Sequence, residues 1–558
     1  MSAQDNIASF SVAHLPIVKE YAQRMGLVEN IDGALNCGMH TSPGKITLGL
    51  IMNILCGRSP IYRVEEFFKM RDVPLLLGEG MTAEKFNDDA IGRVLDRIYD
   101  YGTWKLFSEA CIQAFRNFNV DCTIIHQDTT SVSVWGEYMP GSDDPMKINH
   151  GYSKDKRPDL KQFVLSLLCV EGNLPFHAGI LDGNSSDKKI NGTIITELPR
   201  VMARHGAGKH EFIYVADSAL ATRDNLLLMK DDIQFITRLP ENFGACTELI
   251  GKAVTDTGSW QDVGQLSCRI VKGRNICASY RIQETTIDLC EKNYRAVIVH
   301  SDAHDRRRRK RIEKTVQKDK ITLGKAVDEL RRKKFFCLPD AQAAAKDFKP
   351  GDLHHVTFIF EEHPVYGRGR PCKKEIRTAK NMCYMVAVKV NENKEAIEEL
   401  QEKAGCFVLL TNVPTEKKSA LEVLKTYKEQ DGIEKNFGFL KDPLVVNDLF
   451  LKTPSRIEAL GLILVLALLL WRLMERAIRR KIKEENSTLT GWNNGKTAKP
   501  TSFMMVSKFI SVVVAIKNGE RSLFTPLNKV QLAYLNALEV NPGIFTEIDL
   551  MPEAIRSG

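Results

Sequence analysis

Several features are missing from these 558 residues. Thirteen cysteines are scattered through the chain without a single C-x-x-C pair. That spacing argues against a zinc knuckle and a disulfide framework, and for a reducing compartment. No strong excess of charge exists either. The 78 basic and 70 acidic residues leave a net +8, which permits nucleic-acid binding without requiring it. The first residues lack the basic and apolar regions of a signal peptide, so none is expected. Nor is there an uncharged run long enough to cross a bilayer. Residues 459–471 form a Leu-rich stretch of thirteen between Arg456 and Arg472. A spanning helix needs roughly twenty such residues, so a buried core helix is expected and no membrane association. Internal repeats and long low-complexity tracts are absent.

What is present divides the chain. A length of this order implies about three or four domains. Residues 1–118 show amphipathic spacing at 16–25, 46–55 and 90–118, with turns at Ser42-Pro43-Gly44 and Gly78-Glu79-Gly80. A helical N-terminal domain is expected there. From about 119 the texture changes to short β-branched runs. Residues 122–128 and 212–217 both end in an acid, with further runs at 163–170, 175–180 and 233–237. Helical spacing lies at 191–205 and 218–230. The order β-β-β-α-β-α-β is mixed α/β with one central sheet. Residues 241–405 read as a β-rich insertion carrying a charged helical excursion at 305–334. Its basic run, 306–311, is either a solvated helix face or a phosphate contact. A strand at 406–410 and a helix from the capping box Ser419-x-x-Glu422 to about Leu440 follow, with Pro443 as its stop. The region 406–485 therefore completes the core. Residues 486–558 form a linker and a tail, with a short apolar helix at 503–517.

Two acids close two strands of this sheet, Asp128 and Asp217. Acids at the carboxyl ends of neighbouring strands in an open sheet sit at the usual ligand crevice, although Asp after a strand is also a common turn or cap residue. On the later helix, Tyr427, Gln430, Glu434 and Lys441 are spaced by three, four and seven residues. On a continuous helix these offsets fall within a stripe roughly 60° wide. A carboxylate would then share one face with a cation, an amide and a phenol. The alternative is an ordinary amphipathic helix whose Glu434 and Lys441 face water. The loop between the first two strands carries Lys154, Lys156, Arg157 and Lys161, which reads as a phosphate-contacting loop or a solvated hairpin tip. His126 reads as a packed histidine.

The chain resembles the DDE transposases of bacterial and archaeal insertion sequences, in the group marked by a Y-x2-R-x3-E-x6-K signature. Tyr427, Glu434 and Lys441 match that signature, and Gln430 stands where it usually has Arg. Residues 126–130 and Gly136-Glu137-Tyr138 resemble the family's first strand and hairpin. The block Gly151–Gln162, then Gly183-Asn184 with Asp187, Val215-Ala216-Asp217-Ser218 and Thr237-Arg238-Leu239-Pro240 follow in the family's order. The resemblance covers about 120–480.

It implies an RNase H-like fold in two parts (119–240 and 406–485) around a mostly β insertion, with the helical N-terminal domain serving DNA-end recognition or dimerisation. It implies that Asp128, Asp217 and Glu434 hold two Mg2+ ions, for which Mn2+ would substitute, with Asp128 bridging them. Tyr427, Gln430 and Lys441 would contact phosphates near the cut. Glutamine brings no charge and no bidentate fork, which weakens that grip but leaves the triad intact. The implied partners are double-stranded DNA, both the element's terminal inverted repeats and the target, and a second copy in a homodimeric synaptic complex. The implied setting is a prokaryotic cytoplasm, at the nucleoid when acting. A nuclease on the same fold without strand transfer, or an inactive DNA-binding derivative, are the alternatives.

Overall fold

The computed structural model describes residues 7–35, 38, 41–57, 59–134, 138, 144–229, 232–271, 274–368, 378–441 and 453–548. Gly136, Glu137 and Pro443, named above, lie outside them. The chain divides into two compact units, Met1–Thr237 together with Thr426–Gly558, and Arg238–Lys425.

The first unit opens on a short strand, β1 (Ile7–Ser11), and then runs through seven helices: α1 (Leu15–Met25), α2 (Leu27–Leu35), α3 (Pro43–Cys56), α4 (Val64–Lys69), α5 (Val73–Leu77), α6 (Asp88–Tyr101) and α7 (Thr103–Phe118). Their boundaries follow local chemistry. Ser42, Asp72 and Asn87 accept the orphan backbone N–H groups at the starts of α3, α5 and α6. Gly26 and Asn119 end α1 and α7 in the left-handed conformation.

The sheet of this unit has the order β4-β3-β2-β5-β6. Its strands are β2 (Ile124–Val134), β3 (Lys161–Val170), β4 (Leu174–Leu181), β5 (Ile213–Ala216) and β6 (Gln234–Leu239), with α8 (Asp187–Arg204) and α9 (Arg223–Met229) between them. β3 is buried along nearly its whole length, as an apolar strand covered on both faces should be. β2 pairs antiparallel with β3 from His126↔Cys169 to Val134↔Lys161. It pairs parallel with β5 only from Ile124↔Ile213 to His126↔Val215. Beyond His126 it therefore leaves β5. Asp128 lies inside a longer strand and not at its close, just past the point where parallel pairing stops.

The second unit carries α10 (Gly244–Thr255), then β7 (Gln261–Val271), β8 (Arg274–Leu289) and β9 (Lys292–Ser301) as an antiparallel meander. A 31-residue helix, α11 (Asp302–Arg332), and α12 (Leu338–Lys346) follow. The hairpin β10 (His354–Val365) and β11 (Asn381–Glu392), α13 (Lys394–Glu402) and β12 (Cys406–Thr411) complete it, and β12 pairs with β9. Four helices join its strands, and α11 covers the charged helical excursion expected at 305–334. Cys277 is disulfide-bonded, against the expectation from cysteine spacing. The β7–β8 backbone register sets position 268 opposite it.

The chain returns to the first unit through α14 (Ala420–Lys428) and α15 (Asp431–Leu440). The single helix expected over 419–440 is two. The backbone tightens at the join, where Gln430 N–H bonds Tyr427 O and Gly432 N–H bonds Glu429 O. These are three-residue steps of the 3₁₀ kind. Next comes α16 (Pro454–Glu484), long and apolar enough to cross a membrane, whose apolar window is 89% buried within the protein. It packs against α1, α3, α6, α7, α15 and β4. That explains why the N-terminal helices share a unit with the sheet. The short strands β13 (Leu489–Thr490) and β14 (Lys496–Thr497) precede α17 (Ser502–Phe509), β15 (Val513–Lys517), β16 (Glu520–Leu523) and α18 (Lys529–Leu538). The last five residues of the helix expected at 503–517 are thus a strand. β15 pairs with β1 from Ile7↔Lys517 to Ser11↔Val513, so the two termini of the chain close one small sheet.

Candidate active site

The site is built where β2 and β5 part. Asp128 and Asp217 both follow the last parallel pair of these two strands. Each carboxylate accepts a nearby backbone N–H: Thr129 N–H to Asp128 at 2.7 Å, and Ala219 N–H to Asp217 at 3.0 Å. Thr237, at the same level of β6, donates its hydroxyl to the Asp217 carbonyl at 2.7 Å. That bond fixes the turn after β5.

Two loops add a third acid and a cation. Asp187, at the start of α8, accepts a hydrogen bond from the Thr129 hydroxyl. Lys154 directs its ammonium onto Thr129, 2.7 Å from the carbonyl and 2.9 Å from Oγ1, and stands 3.5 Å from Asp187. Its backbone N–H is held by Ser131 Oγ at 2.9 Å. The loops themselves are stitched by Gln162, buried at the start of β3. Its amide donates to the carbonyls of Tyr152 and Gly183, and its backbone exchanges two bonds with Asn149. A Cβ at Gly151 would lie 2.0 Å from the Gly183 carbonyl oxygen, and one at Gly183 would lie 2.0 Å from that of Gln162. These glycines are required by close approach.

Burial dominates the electrostatics. It pushes the Asp128 carboxyl up to about 6; the neighbouring Asp217 and Asp187 act in the same direction, while Lys154 and the Thr129 N–H oppose it. Asp217 is raised by burial and by Asp187, against the Ala219 N–H and Lys154. Carboxylates that desolvation and one another disfavour when ionised are a common mark of a functional site. All the donors are hard oxygens, the chemistry that Mg2+ prefers.

The expected third member sits differently. Glu434 is exposed in the first turn of α15, and it is not among the charges that shift Asp128 or Asp217. Among the described residues, no group of three His, Cys, Asp or Glu side chains is arranged to hold a metal ion. The structure therefore brings together Asp128, Asp217 and Asp187. Glu434 stays on the helix face that ends in Lys441, seven residues on. Lys441 bonds Asp155 at 2.8 Å, the residue next to Lys154, which ties that face to the loop at the acids.

The other expected contacts divide. Gln430, half-buried, donates its amide to the Gln127 carbonyl at 3.2 Å, docking the helix join on β2. Tyr427 is half-buried in the last turn of α14. In the basic loop, Arg157 forks onto Asp159 and Lys161 bonds the Tyr138 carbonyl. Lys156 is exposed with a left-handed backbone (φ +59°). His126 is buried, as expected of a packed histidine, with Nε2 3.9 Å from Glu429.

Residues not singled out from sequence hold α15 in place. Buried Asn436 donates to the Asn173 carbonyl at 2.9 Å and accepts from Arg472 Nε at 2.7 Å. Arg472 also pairs with buried Glu475 at 3.0 Å. Gly432 lets the helix start abut the Asn173 side chain. Arg472 marked only the end of an apolar run in the sequence. Its burial beside Glu475 follows the three-residue spacing of the two.

Residues 7–112 match the model of a family described as a domain of unknown function (DUF4277). No curated protein matches the chain. The matched segment spans β1 and α1 to α6 and most of α7, and stops before the first strand of the acid-bearing sheet.

Proposed function

We propose that this protein is a DNA transposase. It binds the ends of an insertion sequence, cleaves them by metal-dependent phosphodiester hydrolysis, and transfers the freed 3′-hydroxyl ends into target DNA. The observation that carries this reading is the placement of Asp128 and Asp217 side by side past the parallel pairing of β2 and β5, both disfavoured as bare anions.

An acid cluster of this kind repels a phosphate unless a cation intervenes. Asp128 and Asp217 would hold the Mg2+ ions, with Glu434 from α15 as the third carboxylate. Mg2+ uses few protein carboxylates, completing its shell with water and substrate phosphates, so two buried acids are an adequate platform. When bound, the metal supplies charge relief on the leaving oxygen and a nucleophile at neutral pH. Lys154 keeps the two carboxylates ionisable and holds Thr129 in place. Lys156 and Lys441, with Tyr427, are candidates for phosphate contact. Gln430 carries no charge, and its amide is engaged on β2. The proposal extends to a homodimeric synaptic complex in a prokaryotic cytoplasm.

A nuclease that cuts without joining is the second reading, since the same acids serve hydrolysis alone. Incubation with Mg2+ and a duplex bearing a pre-cut element end separates the two. A joined product supports transposition, and cleavage without any joined product sinks it.

A further inference from the structure

The second unit contains a feature that the acids do not explain. α11 runs unbroken from Asp302 to Arg332 and has two sharply different faces. Val316, Leu323, Val327 and Leu330 are buried along one side, the last three in a core with Ala341, Val386 and Val388. At 100° per residue, Arg307, Arg311, Lys314, Lys318, Lys325 and Arg332 fall within about 40° of one line on the opposite side. All six are exposed. The line spans about 38 Å at 1.5 Å per residue.

The pairing pattern separates this line from an ordinary solvated face. Arg306, Arg308 and Arg309, which lie off the line, are matched by Asp302, Glu241 and Asp305. The six cations on the line have no carboxylate partner among the described residues, and Glu329 is the one acid within the line. A helix charged only for solubility intersperses opposite charges at three- and four-residue spacing. Here the ion pairs that form lie off the line.

We infer that this straight basic line is a track for the phosphate backbone of double-stranded DNA. The inference rests on the transposase reading for its partner and on the helix geometry for its place. A rigid line about 38 Å long matches about eleven base pairs of duplex, which presents a charge every ~1.7 Å of axis. Lysines and arginines with no base-reading partner make sequence-independent contacts, so the track would grip flanking or target DNA irrespective of sequence.

The test compares the full chain with a variant carrying Lys314→Gln, Lys318→Gln, Lys325→Gln and Arg332→Gln. A control carries Lys346→Gln, Lys349→Gln, Lys389→Gln and Lys394→Gln, which are exposed elsewhere in the same unit. Circular dichroism and thermal melting establish that all three are folded. Binding of a labelled 30-base-pair duplex of arbitrary sequence is followed by fluorescence anisotropy at several salt concentrations. Each lost phosphate contact removes about 0.9 from the slope of log K against log salt. The track variant should therefore lose about 3 to 4 units of slope, while the control keeps the slope of the unaltered chain. An unchanged slope in the track variant, or an equal loss in the control, overturns the track and leaves the transposase reading standing. Failure of the unaltered chain to bind any duplex overturns both, and tighter binding to anionic lipid vesicles than to duplex overturns the choice of partner.

Discussion

Lys154 and Asp187 approach each other to 3.5 Å from two different loops, with the Thr129 hydroxyl bonded to both. Among the described residues, the ammonium is the one cation that opposes the raised pKa values of both Asp128 and Asp217. Replacing Lys154 by Met should therefore raise both values further. Ligand carboxylates must be ionised, so activity falls as pH drops through their pKa. The acidic limb of Mg2+-dependent cleavage, expected near pH 6 in the unaltered chain, should move to higher pH in Lys154→Met, with Lys154→Arg restoring it. A uniform loss of rate with an unmoved limb would assign Lys154 a purely structural part.

The raised Asp128 value also predicts a stability change. In the unfolded chain an Asp titrates near 3.9, and here burial holds it at about 6. The fold therefore penalises the anion: stability is full below about pH 4 and declines as pH rises towards 6. Asp128→Asn removes the penalty at neutral pH, by on the order of 1–2 kcal/mol given its partial exposure. The variant should melt higher than the unaltered chain at pH 7.5 and alike at pH 4. Added Mg2+ should raise the melting temperature of the unaltered chain alone.

Gly183→Ala tests the stitched loops. The new methyl would meet the Gln162 carbonyl at 2.0 Å, backbone that cannot swing aside. A loss of about 1–3 kcal/mol follows from such overpacking, measured by chemical denaturation. Because the displaced strand start also sets Asp187, cleavage should fall by about 10–100-fold, as for other groups that orient a metal site.

How much of this was legible depended on whether the partners were local. Asp128 and Asp217 stood at the ends of β-branched runs, and the strand order placed them together without a structure. The break between α14 and α15 was not legible, because the 100° spacing of Tyr427, Gln430 and Glu434 continues across it. The tightened backbone at the join goes with the docking of Gln430 on Gln127 and of Gly432 on Asn173. β15 was read as helix because its partner, β1, lies at the other end of the chain. Lys154 looked like its basic neighbours in a polar loop. The backbone bond to Ser131 that turns it inward has no sequence signal.

Arg472→Met probes the support behind α15. Truncation would strip the buried Asn436 amide of its donor and remove one of two arginine partners from Glu475. Breaking a buried pair costs about 3–5 kcal/mol, and Arg479 remains, so a loss near the lower end is expected by denaturant titration. Loss of cleavage under conditions where the variant is still folded would show that the position of α15 matters to the chemistry.

Asp128, Asp217 and Glu434 are proposed to act together on DNA, and Glu434 is the member that stands apart from the other two. The direct measurement is Mg2+-dependent cleavage and joining of a duplex carrying the element's end by the unaltered chain and by Asp128→Asn, Asp217→Asn and Glu434→Ala, each shown to be folded. Activity is expected in the first, with its loss in all three variants. Activity that survives Glu434→Ala while the two aspartate variants are dead would contradict the triad and leave the third role to Asp187.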